Sequence, residues 1–221
     1  MYPRMQPQTQ ARTPAQGRSQ MQSASEPGES LILCSPYGGF TPDGSEYVIT
    51  LREGEVLPAP WVNVLANRTF GSVVSESGNA YTWAENAHEF RLTPWLNDPV
   101  SDAGGEALYL RDEETGRFWS PTPLPCRGRG DYRIRHGFGY TTFEHEEGGI
   151  ATELRMAVAP EDPVRCAALT IRNLSGRRRP LSVTGYVEWV LGDLRSRSAM
   201  HIVTTADPRG ESLFARNAYS I

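Results

Sequence analysis

Tyr81-Thr82-Trp83-Ala84-Glu85-Asn86-Ala87-His88-Glu89-Phe90-Arg91-Leu92-Thr93-Pro94-Trp95-Leu96-Asn97-Asp98-Pro99 is the densest run of indole rings and hydrogen-bonding side chains in the chain. Trp83 and Trp95 offer flat apolar faces with an N–H at the edge. Asn86, Arg91, Asn97 and Asp98 supply donors and acceptors suited to hydroxyl groups, and Arg91 can clamp an anion with two parallel N–H bonds. An apolar face beside a polar rim suits a sugar ring. The same residues also suit a structural loop, with tryptophan buried and Asn and Asp closing turns beside Pro94 and Pro99.

Downstream of this run the pattern is β throughout. Ala107–Arg111 and Phe118-Trp119 flank Asp112–Gly116 as a hairpin. Asp131–Arg135 alternates, Gly139–His145 follows, and the Gly148-Gly149 turn leads into Ile150–Val158. Val164–Asn173 and Leu181–Leu191 read as strands around an exposed basic turn, Arg177-Arg178-Arg179, and the period of two puts Val183, Gly185, Val187 and Trp189 on one face. His201–Thr205 and Ser212–Ala215 make a last pair. Upstream, Glu46–Leu51, Trp61–Leu65 and Phe70–Val74 are short β-runs. No segment carries a long helical stripe. About a dozen short strands with a turn roughly every ten residues predict an all-β sandwich.

The 221 residues are enough for one large β domain. Residues 1–30 are rich in Gln, Ser, Pro and Arg, and are expected to form a disordered tail or linker, with residues 31–221 forming the sandwich. All 22 basic residues are arginine, and the net charge of −4 argues against a general nucleic-acid binder. Apolar stretches fall short of the roughly 18 residues a membrane helix needs, and the N-terminus lacks a signal-peptide core. Cys34, Cys126 and Cys166 have no metal-type spacing, so free thiols in a reducing compartment are expected. His88, His136, His145 and His201 form no metal motif, and neither a metal nor a cofactor is expected. Glu85, Glu89, Asp98, Asp102, Glu144 and Glu146 read as solvated or capping carboxylates, not as a catalytic pair.

The run from Tyr81 to Asp102 resembles a signature of the glycoside hydrolase family 94 (glycosyltransferase 36) type. It is the family of cellobiose and chitobiose phosphorylases and of the phosphorylase-like module of cyclic β-1,2-glucan synthases. The likeness continues through Gly105–Gly116, Trp119-Ser120-Pro121, Arg135–Tyr140 and Tyr186–Leu191. It implies a large antiparallel double-sheet supersandwich, galactose-mutarotase-like in form. It also implies a β-glucan or β-glucoside as the sugar partner and a role in dimerisation. In the resembled family the catalytic Asp and most phosphate ligands lie in an (α/α)6 barrel that follows the sandwich. The resemblance therefore implies a non-catalytic sandwich cut off before that barrel, inactive when alone. The expected location is the cytoplasm, or an inner-membrane protein whose spanning segments lie elsewhere. Loops of the sandwich help wall the substrate site in such proteins. That makes Arg91, Trp95, Asn97, Asp98, Arg135 and His136 the candidate sugar-facing residues, against the alternative that these loops only bury the sandwich–barrel interface. A stand-alone sugar-binding module and a partner for a separately encoded barrel are the other readings.

Overall fold

The computed structural model describes residues 30–96, 98, 100 and 104–219. Apart from Ser30, the expected N-terminal tail lies outside these residues, as does Asn97.

The described residues hold fifteen strands, one short α-helix and one 3-10 turn, Ala199–His201. In chain order the strands are β1 (Ile32–Ser35), β2 (Gly38–Phe40), β3 (Glu46–Leu51), β4 (Val62–Ala66), β5 (Phe70–Ser75), β6 (Ala80–Ala84), β7 (Glu106–Asp112) and β8 (Phe118–Trp119). They continue with β9 (Tyr132–Gly137), β10 (Tyr140–Glu147), β11 (Ile150–Val158), β12 (Arg165–Asn173) and β13 (Leu181–Val187). A single helical turn, α1 (Arg195–Ser198), precedes the ribbon of β14 (Ile202–Ala206) and β15 (Leu213–Asn217).

A seven-stranded antiparallel sheet in the order β1-β2-β3-β9-β10-β11-β12 forms one layer. Two three-stranded sheets, β4-β5-β6 and β13-β7-β8, lie against its inner face. The period of two explains the layering. Ile49, Leu51, Tyr132, Ile134, Phe143, Leu154 and Met156 point inward and pack on Leu65, Val74 and Ala80 of the smaller sheet. Leu110 and Trp119 cover Ile150 beside them. Between these positions the outer face carries Arg133, Arg135, Glu144 and Glu153 in neighbouring strands. The β10–β11 hairpin closes through Gly148 and Gly149 at φ 55° and 81°, the left-handed pair that a two-residue turn requires.

Strand β3 matches the sequence expectation residue for residue, and β4, β5 and β7 to β12 agree with it to within one or two residues at either end. Two expectations are corrected. The strand expected over 181–191 leaves β7 after Val187, so Trp189 does not share its face. Instead the Val190 N–H donates to the Leu92 carbonyl, and Arg91 and Gly192 exchange both backbone bonds. This segment bends because Leu191 adopts φ 46°, a left-handed conformation held by the surrounding bonds. The basic turn is also not wholly solvated. Arg179 is nearly buried, bonding Asp112 and the Gly148 carbonyl, and Arg177 pairs with Glu114. Burying Asp112 beneath a guanidinium accounts for the difference.

Candidate functional site

Residues 81–96 of the run fold as the end of β6 followed by a turn that doubles back on it. Glu85, at φ 59°, ends the strand. The Asn86 carboxamide oxygen accepts from the His88 and Glu89 N–H groups at 2.8 and 2.9 Å, an Asx cap that turns the chain. Arg91–Thr93 then returns alongside β6, with the Leu92 N–H donating to the Thr82 carbonyl at 2.8 Å. Thr93 fixes the return: its hydroxyl oxygen accepts from the Thr82 N–H at 2.8 Å and its proton goes to Glu106 at 2.7 Å. Thr82 donates to the same Glu106 oxygen at 2.8 Å, and Arg165 pairs with the other. Glu106 thus ties the motif to β7 and β12.

The aromatic rings stack along this hairpin. Trp95 lies 4.9 Å from Tyr81 and Tyr81 lies 5.3 Å from Trp83, centroid to centroid, with tilts of 39° and 34°. Trp83 rests on Gly71, where an added Cβ would sit 2.2 Å from the indole. Burial pushes the Tyr81 phenol up, and the charge of Arg91 opposes that rise.

Beside Trp95 is an open cavity of about 450 Å3, within the about 300–1,000 Å3 of ligand clefts. One wall is Arg91, Pro94, Trp95 and Leu96 from the motif; the other is Val190, Asp193, Arg195 and Ser196 from the segment after β13. The two walls meet because residues 190–192 pair with Arg91 and Leu92. Asp193 pairs with Arg197 at 2.8 Å, and Arg195 pairs with Glu188. The arrangement combines one indole, a proline and aliphatic flank, and a charged and hydroxylated rim. Sugar rings are bound by such surfaces through stacking and hydrogen bonds.

The sequence-derived candidates separate. Arg91 and Trp95 line this cavity. Asp98 is exposed, and one of its carboxylate oxygens accepts from the Val100 N–H at 3.0 Å. Asn97 lies outside the described residues. Arg135 and His136 are not among the residues lining the cavity; they sit in β9 of the large sheet. Arg135 faces outward between Glu46 at 2.9 Å and Glu144 at 3.4 Å. His136 faces inward with both ring nitrogens engaged, one 3.2 Å from the Trp61 carbonyl and the other 3.1 Å from the Thr141 hydroxyl. Burial lowers its pKa to about 4, so it is neutral at pH 7. Sequence reasoning missed Asp193, Arg195 and Ser196. The Gly192-Asp193 step after a strand marks a turn there, but nothing local pairs it with Trp95.

The model of the glycosyl hydrolase 94 supersandwich domain matches residues 45–221. The chain belongs to this family. It is 40% identical over 195 residues to the cyclic beta-(1,2)-glucan synthase NdvB of Rhizobium meliloti, a match covering 88% of this chain and 7% of that protein. It is 33% identical over 168 residues to the N,N'-diacetylchitobiose phosphorylase of Vibrio furnissii, covering 75% and 21%. To the solabiose phosphorylase of Paenibacillus borealis it is 36% identical over 163 residues, covering 70% and 20%. The matched part of the chain is thus a small fraction of each of these proteins. Among the described residues, no helix of this family member is long and apolar enough to cross a membrane.

Proposed function

We propose that this supersandwich is the non-catalytic, carbohydrate-associated domain of a longer cyclic β-1,2-glucan synthase-like or β-glucoside phosphorylase-like protein. Its Trp95 cavity forms part of the sugar site, and its motif loops border a catalytic (α/α)6 barrel. The observation that carries this reading is the meeting of Arg91 and Trp95 with Asp193, Arg195 and Ser196 around one cleft. The similarity to a cyclic beta-(1,2)-glucan synthase and to an N,N'-diacetylchitobiose phosphorylase supports it.

The chemistry at the cleft supports binding over catalysis. An inverting mechanism needs a carboxylic acid at the leaving oxygen and a nucleophile on the opposite face. Asp193 and Glu188 each hold an arginine partner, so both carboxylates are already engaged by the protein. The expected outcome for the 221-residue chain is no phosphate-dependent release of glucose 1-phosphate from β-glucosides; measurable release contradicts the proposal. The placement is cytoplasmic, alone or as part of an inner-membrane protein.

The exposed setting of the Trp95 cavity favours one alternative, a module that binds sugar without a barrel. In that case Trp95→Ala removes a measurable affinity for β-1,2-glucan, and a titration with no response at millimolar sugar excludes it.

A further inference from the structure

Among the described residues lining the Trp95 cleft, Arg91 is the charged one that holds no partner of opposite sign. The charged side chains of the lining are Arg91, Asp193 and Arg195. Asp193 pairs with Arg197 at 2.8 Å, and Arg195 pairs with Glu188. Three guanidiniums therefore meet two carboxylates, and the positive charge left over belongs to Arg91. Backbone bridges to Trp83 and to Gly192 fix Arg91 on both flanks, so the base of its side chain is held. The Nε–H donates to the Ala87 carbonyl at 3.4 Å. That leaves Nη1 and Nη2 without a partner among the described residues. The charge reaches the Tyr81 phenol, whose ring lies 4.9 Å from that of Trp95. Across the cleft the Ser196 hydroxyl is also without a partner among the described residues. Arg91 is half-buried, and a charge partly stripped of water is stabilised by an anion that comes to it.

We propose that the cleft takes an acidic saccharide, one that carries a carboxylate, and that Arg91 is the residue that recognises the acid. The inference rests on the reading of this cleft as part of a sugar site. The carboxylate accepts from Nη1 and Nη2 in the two-bond fork that guanidinium and carboxylate share. The sugar ring lies against Trp95 and Pro94, and Ser196 serves the ring hydroxyls. Charge selects the kind of acid. A carboxylate brings a single negative charge at pH 7 and makes the cleft neutral. A phosphate monoester brings about −1.5 to −2, and its excess faces Asp193 and Glu188. A neutral saccharide leaves the Arg91 charge unbalanced.

The test titrates four probes into the 221-residue chain and follows the resonances of Arg91, Trp95, Val190 and Ser196. The probes are a β-linked glucosyl-glucuronic acid disaccharide, the same disaccharide with glucose in place of the acid, glucose 6-phosphate and inorganic phosphate. The expected result is saturable shifts at these residues, with the acid bound about tenfold more tightly than the neutral disaccharide and more tightly than either phosphate. The preference shrinks as sodium chloride rises to about 0.5 M, because a partly exposed pair is screened. Arg91→Gln lowers the affinity for the acid about tenfold, and Arg91→Lys recovers only part of the loss, since an ammonium lacks the fork. The probe series on the unsubstituted chain decides the matter even where a variant fails to fold. Equal affinity for the acid and the neutral disaccharide at the cleft overturns the inference and leaves the cleft's reading as a sugar site standing. A phosphate that binds more tightly than the acid has the same effect. No shift with either disaccharide overturns both.

Discussion

Neither ring nitrogen of His136 is free, and its burial makes stability depend on pH. The folded-state pKa of about 4 lies below the ordinary 6.5, so the unfolded chain takes up the proton first as pH falls. The histidine's contribution is therefore complete above pH 6.5 and is lost progressively toward pH 4, by about 3 kcal/mol in full. Thermal unfolding between those values reports the slope, and His136→Gln is expected to reduce it. It does not abolish the slope, because burial lowers the His145 pKa in the same direction. Thr93 is the second residue with a defined outcome. Thr93→Val keeps the shape but strips the Thr82 N–H of its acceptor and Glu106 of a donor. The expected loss is about 1–3 kcal/mol, read by denaturant unfolding. At this scale the sequence singles out Trp95 and Arg91, and the structure sets both at one cleft. It singles out Arg135 and His136 equally, and the structure sets them in β9, apart from that cleft. Their residue types suit a ligand equally well, and only their partners Glu46, Trp61 and Thr141, supplied from elsewhere in the chain, show that they are engaged.

Among the elements, the motif hairpin and the segment after β13 depend on each other. Leu92 has its N–H on Thr82 and its carbonyl on Val190, so the return strand of the motif is pinned from both sides. The close approach of Trp83 to Gly71 holds the aromatic stack against β5. Gly71→Ala drives a methyl into the indole and is expected to cost about 1–3 kcal/mol. A shifted Trp83 fluorescence maximum should accompany the loss. Strand positions were legible because the period of two is written locally, as in Glu46–Leu51 and Ile150–Val158. The end of β13 was not. Val190 and Leu191 continue the apolar pattern of Leu181–Val187, but Val190 takes its backbone partner from Leu92, about a hundred residues earlier. The second wall of the cleft was hidden for the same reason.

For the whole molecule, one sheet supplies the scaffold and the smaller sheets carry the candidate site to its side. The seven-stranded layer carries Arg135 and His136, each engaged by neighbouring residues, and the Trp95 cleft is formed by the motif loop and residues 190–196. On the proposed reading the cleft is part of a sugar site and binds weakly on its own. The most direct test follows the five tryptophan indole N–H resonances while β-1,2-glucan oligosaccharide is added to about 50 mM, a range that detects binding as weak as about 10 mM. The account predicts saturable shifts confined to Trp95 and to amides near Val190 and Ser196, absent in folded Trp95→Ala. Shifts that map elsewhere and survive that substitution, or no shift across the range, would contradict it.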